Sequence, residues 1–263
     1  MGALERGADE NDVSVRPVLA VLVAALAVLA LVGASASATA GGAACASGNG
    51  GYTYAGSQST YVGHGVRAII TATRAPSVAA WHVAGWVGVG GPGQGANGED
   101  EWLQVGIASL PGMDPMLYAE ITKPGRTPQF RVLEGTVPVG ESRQVAVLEM
   151  GGRPGWWRVW LNGSPATQPI HLRRSSGRWE PIATAESWNG GESTCNRFAF
   201  RFERVSISYG GGGSWRPFVP GYRFLDGRYK VRALASAPAT TGEYSRRLTV
   251  TGPDPYAFVA SSS

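Results

Sequence analysis

From Val66 to Ser208 the chain is cut by Gly, Pro and Asn into stretches of six to twelve residues, and within most of them apolar and polar side chains alternate. A period of two is the signature of a strand with one buried face, and such stretches are too short for helices. They read as strands at Val66–Thr73, Trp81–Val89, Trp102–Ile107, Met116–Thr122, Gln129–Glu134, Ser142–Glu149, Trp156–Leu161, Ile182–Trp188 and Arg197–Ser208. The Asn162-Gly163 pair after Leu161 suits a type I′ hairpin turn, because both central residues of that turn need positive φ. Short strands spaced by turns, with no helical repeat, predict an all-β chain: a two-sheet antiparallel β-sandwich or jelly roll.

Composition agrees, with 38 Gly, 17 Pro and only 16% charged residues in 263. The sandwich is expected over residues 52–209. A flexible lead-in at 41–51 precedes it, and a Gly-rich linker with a C-terminal extension at 210–263 follows. Val18 to Val32 is a run of 15 apolar residues followed by Gly-Ala-Ser-Ala-Ser-Ala-Thr-Ala, so residues 1–40 read as a signal peptide or an N-terminal membrane anchor. The flank before the run holds Arg6 and Arg16 against Glu5, Asp9, Glu10 and Asp12, which is unlike the positive start of a typical signal and keeps the anchor reading open. The expected location is secreted or extracytoplasmic, with membrane contact only through residues 18–32 if they are retained. Cys45 and Cys195 are the only cysteines, and an even count in an oxidising compartment reads as one disulfide.

Loss of residues 1–40 removes two basic and four acidic groups, leaving 21 basic against 15 acidic residues. The basic residues are scattered, with no run longer than a pair such as Arg173-Arg174, so no nucleic-acid partner is indicated, and a monomer is expected. His64, His82 and His171 are far apart, there is no His-Glu-x-x-His, no Gly-x-Ser-x-Gly elbow and no Gly-Lys-Ser/Thr after a glycine run, so no metal and no cofactor is expected.

What remains is a face. Trp86, Trp102 with Gln104, Tyr118 with Glu120, Trp156 with Arg158 and Trp160, and Glu186 with Trp188 place aromatic and polar side chains on the same strand parity. If the strands are neighbours, these residues form a concave wall of apolar plates with a few hydrogen-bonding groups, the make-up of a ligand cleft. Each also has a plainer reading. Gln104 and Glu186 fit solvent-facing strand positions, the tryptophans fit inter-sheet packing, and Glu120 fits a surface pair with Arg126 or Arg131.

In order, Gly-Trp-Val-Gly-Val-Gly-Gly from Gly85, Glu-Trp-Leu-Gln-Val-Gly from Glu101, Leu-Tyr-Ala-Glu-Ile from Leu117, Val-Pro-Val-Gly-Glu-Ser from Val137 and Ala-Thr-Ala-Glu-Ser-Trp from Ala183 resemble the segments of the glutamic peptidases, or eqolisins. Those show Trp-x-Gly-Ile-Asp-Gly, Leu-Gln-Thr-Gly, Tyr-Glu-Trp, Pro-Gly-Asp and Ala-Glu-Trp. The resemblance spans Val66 to Ile207 and implies a concanavalin-like sandwich and acid proteolysis by a glutamate and a glutamine. It implies Gln104 and Glu186 as the catalytic pair, with Trp86, Tyr118 and Glu120 as supporting cleft residues, to which the shared face adds Trp102 and Trp188 as substrate-binding residues. The chain departs from the pattern twice: Gly90 stands at the family's aspartate, and Ser187 separates Glu186 from its tryptophan.

In that scheme an ionised Glu186 takes a proton from the attacking water, and the Gln104 amide donates to the oxygen that becomes negative. The expected ligand is a protein or peptide, or a glycan if the fold is a non-catalytic module that binds polysaccharide or cell-envelope glycan. Glycoside hydrolysis by Glu120 and Glu186 is a third reading, requiring two carboxylates across the cleft.

Overall fold

The computed structural model describes residues 51–188, 195–226, 229–234 and 256–262, all within the unit Ala40–Ser263. The signal or anchor at 1–40, the lead-in up to residue 50 and Cys45 lie outside the described residues. Cys195 lies within them and is not a free thiol.

Among the described residues sixteen strands follow one another: β1 (Tyr52–Ser59), β2 (Gly65–Ala72), β3 (His82–Gly91), β4 (Glu101–Ser109), β5 (Met116–Thr122), β6 (Gln129–Glu134), β7 (Ser142–Glu149) and β8 (Trp156–Leu161). Then come β9 (Ser164–Pro165), β10 (Ile170–His171), β11 (Ile182–Trp188), β12 (Ala199–Ser208), β13 (Trp215–Pro217), β14 (Pro220–Leu225), β15 (Lys230–Ala233) and β16 (Tyr256–Ser261). They build two antiparallel sheets. The first runs β14-β1-β11-β3-β4-β5-β6, and the second runs β10-β8-β7-β2-β12-β16-β15, with β13 on β12 and β9 on β8. The molecule is therefore the expected all-β sandwich of concanavalin-like, jelly-roll type.

The core lies between the sheets, and the period of two decides what enters it. Leu103, Val105 and Ile107 of β4, Leu117 and Ala119 of β5, and Ala183 and Ala185 of β11 are fully buried from one side. Phe198, Phe200 and Phe202 meet them from the other, with Phe202 stacked on Phe258 of β16 at a centroid distance of 4.5 Å. Each such aromatic contributes about 2 to 3 kcal/mol of burial. The turn after β8 has φ of 49° at Asn162 and 82° at Gly163, both positive as a type I′ turn requires.

Two expectations fail: the sandwich does not stop at residue 209, because β14 pairs with β1 and β16 pairs with β12 and brings Phe258 into the core, and the aromatic wall is smaller than parity suggested. Trp156, Arg158 and Trp160 do not join a common wall with Trp86 and Gln104, because β8 belongs to the second sheet and these side chains face outward from it. Parity shows which residues share a face but not which sheet owns the strand.

Candidate functional site

The outer face of the first sheet carries the side chains that the core rejects. Along β3 these are His82, Ala84, Trp86 and Gly88; along β4, Trp102, Gln104, Gly106 and Ala108; along β5, Tyr118 and Glu120; along β11, Thr184 and Glu186. Register sets their rows. Glu186 sits between Tyr54 and Ala84, while Gln104 sits between Gly88 and Glu120. Small residues make the floor. A Cβ on Gly88 would lie 2.8 Å from the Gln104 Cβ, and one on Gly106 would lie 2.6 Å from the Trp86 Cβ, so the glycines leave room for the larger side chains beside them.

The result is a cleft of about 270 Å³ lined by Gln104, Glu186, Glu120, Trp86, Trp102 and Tyr52, among others. Gln104 and Glu186 are only 7% and 5% exposed, yet both face this cleft rather than the core. They lie two strands and four residues apart on the lattice, roughly 16 Å between Cα atoms on a flat sheet, so they flank an intervening space. Each has its own support. Gln104 Nε2 donates to the Tyr118 hydroxyl at 3.1 Å, and Tyr118 stacks on Phe130 at 4.8 Å between centroids. Glu186 Oε1 lies 3.4 Å from His82 Nε2.

Glu120 accepts a hydrogen bond from Trp102 Nε1 at 2.9 Å in place of an arginine partner. Burial, then the charge of Glu186, raises its pKa above the ordinary carboxylate range, with the Trp102 bond opposing. The same two causes push Tyr52 up to about 12 and raise Tyr54 and Tyr118 as well. The tyrosines facing this site therefore remain neutral hydrogen-bonding groups, and Glu120 keeps its proton to higher pH than an exposed carboxylate. Trp86 adds a buried indole N–H without a partner among the described residues. No group of three or more metal-ligating side chains occurs among the described residues.

Of the residues expected from sequence, Gln104, Glu186, Trp86, Trp102 and Glu120 line the cleft. Tyr118, 1% exposed, sits beneath it as the support of Gln104. Trp188 stacks on Tyr52 with centroids 5.7 Å apart and against Trp81 at 4.5 Å, forming an aromatic group at the end of β11. Both departures from the family pattern have a structural setting. Gly90 has φ of +82°, and a Cβ there would lie 2.2 Å from the Glu101 carbonyl, so this backbone admits no aspartate. Ser187 is fully buried and accepts from Asn196 Nδ2 at 3.0 Å, which moves Trp188 to the same face as Glu186.

Thr184, which shares the parity of Glu186, also lines the cleft, while His82, Tyr52, Tyr54 and Phe224 stand around it and were not singled out as site residues from the sequence. His82 shares the parity of Trp86 and was legible; Phe224 arrives on β14, more than 130 residues from β3, and was not.

No family model and no curated protein matches this chain. Among solved structures it is similar to scytalido-glutamic peptidase bound to a transition-state analogue inhibitor, at 14% identity over 82% of this chain and 98% of that one, with a TM-score of 0.43. It is also similar to SCP-B, an eqolisin in complex with the tripeptide Ala-Ile-His, at 14% identity over the same shares and a TM-score of 0.40. A Bacillus licheniformis β-glucanase aligns at 9% identity over 78% of this chain and 65% of that one, with a TM-score of 0.34. These are likenesses of fold alone; what the side chains do has to follow from their own geometry.

Proposed function

We propose that the protein is an exported hydrolase of peptide bonds that uses Glu186 and Gln104 with a water molecule. One observation carries this reading: two side chains from strands that are not neighbours, each almost buried, open on the same small cleft. A carboxylate hidden from bulk water yet facing a cleft suits a general base. Glu186 takes a proton from water as its oxygen bonds to the substrate carbonyl carbon, and later gives that proton to the departing amine nitrogen. Gln104 has two amide hydrogens. Tyr118 receives one, which fixes the plane of the amide and leaves the other for the carbonyl oxygen as it gains charge. Trp86, Trp102 and Phe224 offer apolar contacts to substrate side chains.

The test is hydrolysis of casein from acid to neutral pH. Wild-type protein is expected to cleave it best under acid conditions, and Glu186→Gln to lose at least about a hundredfold with an unchanged melting temperature, the size seen when a general base is removed. Equal cleavage by the variant rejects the assignment.

A second reading, a non-catalytic module for glycan, is favoured by the aromatic group of Tyr52, Trp188 and Trp81, the last 55% exposed. Retention on insoluble glycan with no cleavage of casein at any pH would establish it instead.

A further inference from the structure

The opposite side of the molecule holds a groove that this chemistry does not use. On the outer face of the second sheet, register aligns two adjacent rows: Trp215, Ser208, Gly65, Leu148 and Arg158 in one, and Ser206, Arg67, Ala146 and Trp160 in the next. Ser208, Gly65 and Ala146 are small beside Trp215, Arg67, Arg158 and Trp160, and the difference in height leaves a groove of about 490 Å³ lined by Arg67, Gln144, Arg158, Trp160 and Trp215. The Arg67 guanidinium lies 4.5 Å from the centre of the Trp215 ring. The Arg158 Nε and Trp160 Nε1 are buried and have no partner among the described residues, so neither side chain is tied down by a hydrogen bond at those atoms. One carboxylate, Glu149, borders the groove, but it is occupied by His64, the Gly155 N–H and the Ser176 hydroxyl.

We propose that this groove binds a polysaccharide of uronic acids, its pyranose faces against the Trp160 and Trp215 indoles and its carboxylates on Arg158 and Arg67. Guanidiniums with no carboxylate partner among the described residues match carboxylates by charge and by their planar donor geometry. A sheet face, unlike a sheet edge, offers no free backbone groups: β2, β7 and β8 are each paired on both sides, so an extended peptide cannot be held by main-chain bonds. A nucleic-acid strand calls for a basic stripe along its phosphates, whereas here two guanidiniums stand among apolar and amide groups. Indole planes beside two positive charges fit a chain of acidic sugar rings.

The experiment is native affinity electrophoresis of the purified protein in gels containing polygalacturonate, neutral hydroxyethylcellulose, poly-glutamate or single-stranded DNA. Retardation by polygalacturonate alone is expected. Trp160→Ala and, separately, Arg158→Gln should each weaken it at least tenfold while keeping a cooperative melting transition, whereas Glu186→Gln should leave it unchanged. Both side chains are partly buried, so the melting transition identifies a variant that fails to fold and the other then carries the test. The proposal is overturned by no retardation in polygalacturonate, by equal retardation in poly-glutamate or DNA, by retardation that survives both groove variants, or by its loss in Glu186→Gln.

Discussion

At the scale of single residues the site depends on how burial changes polar groups. Tyr118 is buried and holds one Gln104 hydrogen, so Tyr118→Phe frees that amide to rotate. The expected result is a fall in kcat of roughly tenfold with little change in KM, and a stability loss of about 1 kcal/mol, one net hydrogen bond. Steady-state kinetics and a denaturant melt measure the two. Glu120 gives a signed prediction. Its pKa is higher in the folded protein than in the unfolded chain, chiefly through burial. The native state therefore holds a proton that the unfolded chain releases as pH rises, and stability falls from the ordinary carboxylate pKa upward until the folded pKa is passed. Glu120→Gln keeps an oxygen for the Trp102 indole and removes the titration. Its melting temperature should exceed wild type at pH 7 and match it near pH 4; an equal difference at both pH values contradicts this account.

At the scale of strands, packing between neighbours decides where large side chains can stand. Gly106 lies under Trp86, and a Cβ there would also fall 2.1 Å from the Gly85 carbonyl. Gly106→Ala should cost about 3 kcal/mol by overpacking and displace the indole from the cleft, read as a lower melting temperature and altered tryptophan fluorescence. The same scale explains what the sequence could convey. The bounds of β5, β6, β7, β8 and β11 were legible residue for residue, because alternation between turn signals is a local property. The facing of Gln104, Glu120 and Glu186 followed from parity for the same reason. The tryptophans of β8 went to the wrong wall because sheet membership depends on partners distant in sequence. Tyr52, Tyr54 and Phe224 were missed because β1 and β14 meet only through a pairing that closes over 160 residues.

At the scale of the whole molecule, the two outer faces of the sandwich differ in charge. The first sheet presents Glu186 and Glu120 in its cleft, and the second presents Arg67 and Arg158 in its groove, with the apolar core between them. In the proposed scheme the groove of the second sheet holds an anionic polymer while the cleft of the first takes the peptide. The central claim is narrower: Glu186 and Gln104 act on one substrate as a unit. A double-mutant cycle in kcat/KM for a peptide at acid pH, using Glu186→Gln, Gln104→Ala and the pair together, tests it directly. The account predicts a loss of at least about a hundredfold for Glu186→Gln and a double variant no slower than that single one. Losses that multiply, or wild-type protein that leaves the peptide intact at every pH, would contradict it.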